Sequence, residues 1–147
     1  MKIFVAGPTF TPHAREYLLN NIRRLRERGF DATGAPDLLG TTPQALFDEK
    51  EAALRKADAL FVILDGAQVD DGVACQLGLF FGLMLQDPTK RGIVGLLSDE
   101  RGLRKSAHGF GLNLFVRGVL ESRGCIYAHI EDALRQLEEW RDSSVPK

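Results

Sequence analysis

Leu60-Phe61-Val62-Ile63-Leu64 is an unbroken apolar run held between Asp58 and Asp65-Gly66. No other stretch restricts the fold as tightly. Continuous rather than alternating hydrophobicity demands cover on both faces, the condition of a central strand in a parallel sheet. The rest of the chain supplies that cover. Lys2 to Ala6 reads as a second buried strand closed by Gly7-Pro8, and Thr11-Pro12 is an N-cap followed by proline at the first helical position. Ala14, Leu18, Ile22 and Leu25 then recur at helical spacing until Arg28-Gly29.

Phe30 to Thr33 is a short strand and Gly34 to Thr41 a loop. Thr42-Pro43 repeats the helix-start signal, with Leu46, Ala53, Leu54 and Ala57 as an apolar face running to about Lys56. The polar segment Asp65 to Gly72 leads into a helix from Val73 to Leu85 that is apolar nearly all round, so burial on more than one side is expected. Gly92 to Leu97 is a fourth strand, followed by a charged loop, Ser98 to Gly111, of a length that suits a functional loop. Leu112, Phe115, Val116, Val119 and Leu120 mark a helix ending near Gly124. Cys125 to Tyr127 is a fifth strand, and Ile130, Leu134, Leu137 and Trp140 stripe the last helix.

Strands alternating with helices predict an α/β fold: a doubly wound five-stranded parallel sheet of the Rossmann or flavodoxin type, with helices on both faces. Right-handed crossovers favour the order 2-1-3-4-5. One domain over residues 1–141 is expected, with Asp142 to Lys147 as a disordered polar tail. Ligands of such sheets bind where the strand order reverses, here between the first and third strands. The relevant loops are therefore Gly7 to Thr11 and Asp65 to Gly72.

Composition narrows the partners. A net charge of −1 gives no field for nucleic acid or an acidic membrane. The basic run Arg23-Arg24, Arg26, Arg28 reads as a solvated helix face. The Val73–Leu85 stretch is too short to span a bilayer. The N-terminus enters a strand directly, unlike a signal peptide. Cys75 and Cys125, without a CxxC pair, are expected as reduced, buried thiols of a cytoplasmic protein. His13, His108 and His129 have no metal-ligand spacing, so no metal is expected. Neither GxGxxG nor a P-loop follows the first strand, which disfavours dinucleotide cofactors and nucleoside triphosphates, and no cofactor is expected.

Gly7 would let a ligand approach the backbone, and Pro8, Thr9 and Phe10 follow it, with Phe10 able to stack on a base, pack on a sugar or staple the next helix. In the second loop, Asp65, Asp70 and Asp71 precede Gly72. Carboxylates at the mouth of an apolar pocket can exchange protons with a heterocycle. Asp71 reads as the helix cap, which leaves Asp70 as the candidate for chemistry.

These segments resemble the nucleoside 2-deoxyribosyltransferase family. Asp70-Asp71-Gly72-Val73-Ala74-Cys75-Gln76-Leu77-Gly78 follows that family's signature of aspartate, one residue, glycine, three residues, glutamate, an apolar residue and glycine. Ile3 to Phe10 resembles its first strand and AGP-aromatic loop, Ala57-Asp58-Ala59-Leu60 its lead into the third strand, and Leu112-Asn113-Leu114 its late asparagine motif. The likeness covers nearly the whole chain in order. It implies exchange or hydrolysis of the base of a nucleoside or nucleotide. The implied partners are thus a nucleoside, nucleotide or free base, and a second copy of the chain in a dimer or larger homo-oligomer. Asp70 would protonate or orient the base; Gly7, Pro8, Thr9, Phe10, Asp65, Gly72 and Val73 would line the site. Asn113 would reach the sugar's 5′ side in an adjacent subunit. The nearly all-apolar helix suits a subunit interface, and equally a wholly internal position.

Two departures matter. Gln76 stands where the family carries its nucleophilic glutamate. Cleavage of an N-glycosidic bond develops oxocarbenium character that a carboxylate stabilises and captures; an amide supplies neither charge nor nucleophile. Impaired activity is expected. Three explanations stay open: an engineered isosteric replacement, a natural non-catalytic nucleoside- or nucleotide-binding module, or hydrolysis promoted by Asp70 or Asp71 through water. Lys50 is the second departure, standing where many relatives have an acidic or amide residue on the helix before the third strand. Glu49 or Glu51 would substitute only after a local shift. A phospho-receiver reading, with Asp65 at the strand end, fails for want of a carboxylate pair after the first strand. Arg101, Arg104, Lys105 and His108 in the 98–111 loop could touch a phosphate, or simply be solvated.

Overall fold

A computed structural model describes residues 1–103 and 111–143. Its strands are β1 (Lys2–Ala6), β2 (Asp31–Gly34), β3 (Ala59–Ile63), β4 (Gly92–Leu96) and β5 (Gly124–Tyr127). They form one parallel sheet in the expected order, β2-β1-β3-β4-β5. The helices are α1 (Pro12–Glu27), α2 (Pro43–Lys56), α3 (Asp71–Gln86), α4 (Leu114–Arg123) and α5 (Ile130–Asp142).

Both threonine-proline starts behave as capping chemistry requires. Thr11 accepts from the Ala14 N–H and Thr42 from the Ala45 N–H, each at 3.1 Å, with proline following at the position that needs no donor. Gly29, at φ +80°, ends the first helix in a conformation that a side chain disfavours.

β3 is buried at all five positions, and its residues divide between two cores. Leu60 and Val62 join Phe4, Ala6 and Ile93 under Leu54 of α2, Val73, Leu77 and Phe80 of α3 and Leu120 of α4. Ala59, Phe61 and Ile63 join Ile3, Val5, Val94 and Leu96 under Leu18, Ile22 and Leu25 of α1 and Leu134 and Leu137 of α5. So α1 and α5 cover one face and α2, α3 and α4 the other. Among the described residues no helix is long and apolar enough to cross a membrane.

Four expectations change. Only Val73, Leu77, Phe80 and Met84 of α3 are buried, on the stripe facing the sheet. Its outer side stays open, with Cys75 exposed and Leu85 61% exposed. Cys75 is thus no core thiol, because its position puts it on the outer side; Cys125 is half-buried. The basic run is partly committed rather than wholly solvated. Arg24 and Arg28 pair with Glu131 and Arg28 also with Glu138, tying α1 to α5, and Arg26 pairs with Asp37. Asp142, expected in the tail, is the last residue of α5, while residues 144–147 lie outside those described.

β4 and β5 approach so closely that a Cβ at Gly124 would lie 1.7 Å from the Ile93 carbonyl oxygen. Gly124→Ala should cost about 3 kcal/mol by forcing the two strands apart. Gly118→Ala, on the exposed side of α4 with nothing within 4 Å, should add about 0.5–1 kcal/mol. Urea denaturation of both variants checks the pair; an equal effect would contradict the β4–β5 register.

Candidate functional site

The chain leaves β1 towards α1 on one face of the sheet and leaves β3 towards α3 on the other, so a cleft opens beyond their carboxyl ends. A hollow of about 770 Å³ occupies it. Pro8, Phe10, Thr11, His13 and Tyr17 line one wall, Asp65 to Gln68 with Asp70 and Asp71 the opposite one, and Ser98 and Asp99 close the end. Phe10 is 80% exposed and so does not staple the helix that follows; its ring is open to a ligand. Phe10 and Asp70, distant in sequence, thus share one hollow.

The capping assignment of the aspartates reverses. Asp70 is the N-cap of α3, its Oδ1 accepting from the Val73 N–H at 3.0 Å. Asp71 is the first helical residue and accepts from the Gly72 N–H at 2.7 Å. The reason is reach: a capping oxygen meets the N–H two or three residues on, and Asp70 stands three before Val73.

Asp65 is held from three sides. Its Oδ1 accepts from the backbone N–H of Ser98 at 2.6 Å and of Asp99 at 3.2 Å, and its Oδ2 from the Ser98 hydroxyl at 2.5 Å. That hydroxyl accepts in turn from Tyr17 at 2.9 Å. Next to it, Asp99 accepts from the Gly66 N–H at 2.8 Å, the Arg101 N–H at 3.0 Å and Arg101 Nε at 3.2 Å. Arg101 also donates to the Leu64 carbonyl and is 4% exposed. It is therefore a structural cation rather than a phosphate contact; Arg104, Lys105 and His108 lie outside the described residues.

Sequence reasoning missed this network of Tyr17, Ser98, Asp99 and Arg101. The contact follows from the strand register: with Ile63 opposite Leu96, Asp65 and Ser98 each lie two residues beyond paired positions, side by side.

Gln76 lies elsewhere. Gly72, Cys75, Gln76 and Leu79 fall at helical spacing on one side of α3 and face Pro43, Leu46, Phe47, Lys50, Glu51 and Leu54 of α2 across a second hollow of about 600 Å³. The residues expected to line one site therefore divide between two hollows, one on either side of the α3 N-terminus, with Gly72 between Asp70 and Gln76. Gln76 is half-buried, and its amide makes no hydrogen bond within the described residues.

The remaining site expectations separate. Gly7 packs inward, where a Cβ would come within 3.1 Å of Ile63 and Leu18, so its smallness serves packing rather than close ligand approach. The Thr9 carbonyl accepts from Arg15 at 2.8 Å. Val73 is 1% exposed and belongs to the core, because it stands on the sheet-facing stripe of α3. Asn113 caps α4 through Oδ1, accepting from Phe115 at 2.9 Å and Val116 at 3.4 Å. Glu49 is engaged by the Leu39 and Gly40 N–H groups.

Burial pushes the Asp99 carboxyl up, but the N–H groups of Gly66 and Arg101 and the Arg101 guanidinium outweigh it, holding the group below its ordinary value. A carboxylate depressed in the folded state stabilises above its unfolded value, about 3.9, and loses that contribution as pH falls through the folded value. The stability gap between the native chain and Asp99→Asn should therefore be full at pH 6 and shrink below about pH 4. Urea titrations across pH check this; a gap independent of pH would contradict it.

A fold of this kind occurs in known proteins. A conserved protein from Enterococcus faecalis V583 superposes with TM-score 0.76 at 20% identity, covering 95% of this chain and 98% of its own. A 2-desoxiribosyltransferase from Leishmania mexicana gives 0.68 at 21%, covering 94% and 97%. A CMP N-glycosidase from Clostridium botulinum gives 0.59 at 16%, covering 94% and 99%. At these identities the likeness is one of fold. No curated protein sequence matches. The sequence profile of the nucleoside 2-deoxyribosyltransferases, however, matches residues 3–115, through both loops at the strand reversal and the capped start of α3, and to that family the chain belongs.

Proposed function

We propose that the protein binds a nucleoside or nucleotide around the N-terminal turn of α3 and acts on its N-glycosidic bond, with Gln76 leaving that activity impaired. The observation that carries this reading is the position of Gln76, on the wall of an open hollow in the second turn of α3 and without a hydrogen-bond partner among the described residues. The sugar would lie against Gln76, and the base would pass over Gly72, which raises no side chain, to Asp70 and Phe10. Asp70 spends Oδ1 on the helix cap and keeps Oδ2 for the base. Asp65, fixed by Ser98, would shape the wall beside it.

Departure of the base leaves positive charge on the anomeric carbon. A carboxylate at position 76 would stabilise that charge and bond to the carbon until a second base or water displaced it. An amide can hydrogen-bond the sugar hydroxyls but does neither of these. The displacement is redox-neutral, so no cofactor is required. A cytoplasmic role in nucleoside salvage fits this chemistry.

A non-catalytic binding module is the second reading, favoured by the same neutral side chain. The test is an assay of Gln76→Glu beside the native chain with a panel of nucleosides and free bases. Base exchange or release should rise by about two orders of magnitude or more in the glutamate form, with both forms binding nucleoside. Equal activity in the two would overturn the role of position 76. Binding by both with turnover by neither would select the module.

We further infer that the site is completed in a homo-oligomer. Phe115 is 82% exposed, and Phe47, Leu85 and Leu114 are 60–61% exposed, on helices of the same sheet face. Asn113, beside them, has its Nδ2 available to a neighbour's sugar. Phe115→Asp should give a monomer in sedimentation analysis with weakened nucleoside binding. An unchanged mass would contradict this interface.

A further inference from the structure

The end of the cleft that Ser98 and Asp99 close has its hydrogens committed. A carboxylate can only accept, so the Ser98 hydroxyl spends its one hydrogen on Asp65 Oδ2, at 2.5 Å. The half-buried Tyr17 must then give its own hydrogen to Ser98, at 2.9 Å. The backbone N–H groups of Ser98 and Asp99 are spent on Asp65, and that of Gly66 on Asp99. What these residues keep for a ligand is lone pairs, on Tyr17 Oη and on the carboxylates of Asp65 and Asp99, all of which line the hollow. Each bond in the chain polarises the next. The charge of Asp65 thus holds the direction of the run and makes the Tyr17 oxygen a better acceptor.

We propose that the Tyr17–Ser98–Asp65 chain sets the base preference of the site, selecting a base with an exocyclic amino group over one with a carbonyl at the same ring position. The inference rests on the nucleoside placement proposed above. There the glycosidic nitrogen stays beside Gly72, so the opposite edge of the flat ring leads into the cleft. That edge carries the 4-substituent of a pyrimidine or the 6-substituent of a purine. An amino group brings the donors that this end lacks. A carbonyl would set lone pair against lone pair and give up its water without replacement. Tyr17 makes the contact, and Ser98 is a positioning residue that acts through it by fixing where the Tyr17 hydrogen points.

The experiment is calorimetric binding of two nucleoside pairs, deoxycytidine with deoxyuridine and deoxyadenosine with deoxyinosine, to the native chain, Tyr17→Phe, Ser98→Ala and Ser98→Thr. The native chain should bind the amino member of each pair about tenfold more tightly. Tyr17→Phe leaves the bond from Ser98 to Asp65 in place and should abolish the preference. Ser98→Ala frees the Tyr17 hydrogen to point into the cleft and should shift the preference towards the carbonyl member, a change that loosened structure alone would not produce. Ser98→Thr keeps a hydroxyl and should retain the native order. Equal affinities within both pairs in the native chain, or an amino preference that survives unchanged in Tyr17→Phe and Ser98→Ala, would overturn the role of the chain and leave the nucleoside site standing. Failure of the native chain to bind any of the four would overturn both.

Discussion

Everything in this molecule follows from the double-sided burial of β3. A strand apolar at each of its five positions must have helices above and below it. The connections from β1 and β3 therefore leave the sheet on opposite faces. That divergence opens the cleft beyond the strand ends and brings the start of α3 to its edge. The same divergence explains why two hollows exist. Less than two turns of helix carry the chain from Asp70, at the mouth of the cleft, to Gln76, on the side that faces α2. The sheet plane separates α1 from α2, and the α3 N-terminus is the ridge that both hollows share.

The fold was legible because its signals are local or follow from connectivity. Thr11-Pro12 and Thr42-Pro43 mark helix starts through capping and a missing donor, and the alternation of elements leaves few sheet orders to choose from. The site was legible in part. Phe10 and Asp70 share one hollow, as the strand order leads one to expect. What sequence alone obscured depends on rotation about helix axes and on which donor a side chain reaches. Asp70 and Asp71 differ by one residue, and only geometry decides which oxygen meets the Val73 N–H. Cys75 and Val73 are two positions apart, yet one lies outside and the other in the core. The clamp of Asp65 on Ser98 required the register of β3 against β4, which composition does not carry.

The clamp and the cap also divide the work among the carboxylates. Asp65 and Asp99 fasten the exits of β3 and β4 together through Ser98, Gly66 and Arg101, which stiffens the wall of the cleft. Asp70 does two jobs at once, ordering the first turn of α3 while presenting its second oxygen to the cleft. Preorganisation of this kind lowers the entropy lost when a ligand is held. In the function proposed above, it also brings Asp70, for the base, and Gln76, for the sugar, within two turns of helix.

The central claim is that a nucleoside lies across the start of α3 with its sugar against Gln76. Nuclear magnetic resonance of the Gln76 side-chain amide during titration with a deoxynucleoside tests it most directly. The account predicts a saturable shift of that amide together with the Phe10 ring and the Gly72 backbone N–H, all at one midpoint. Saturable binding that moves other residues and leaves the Gln76 amide where it was would contradict it.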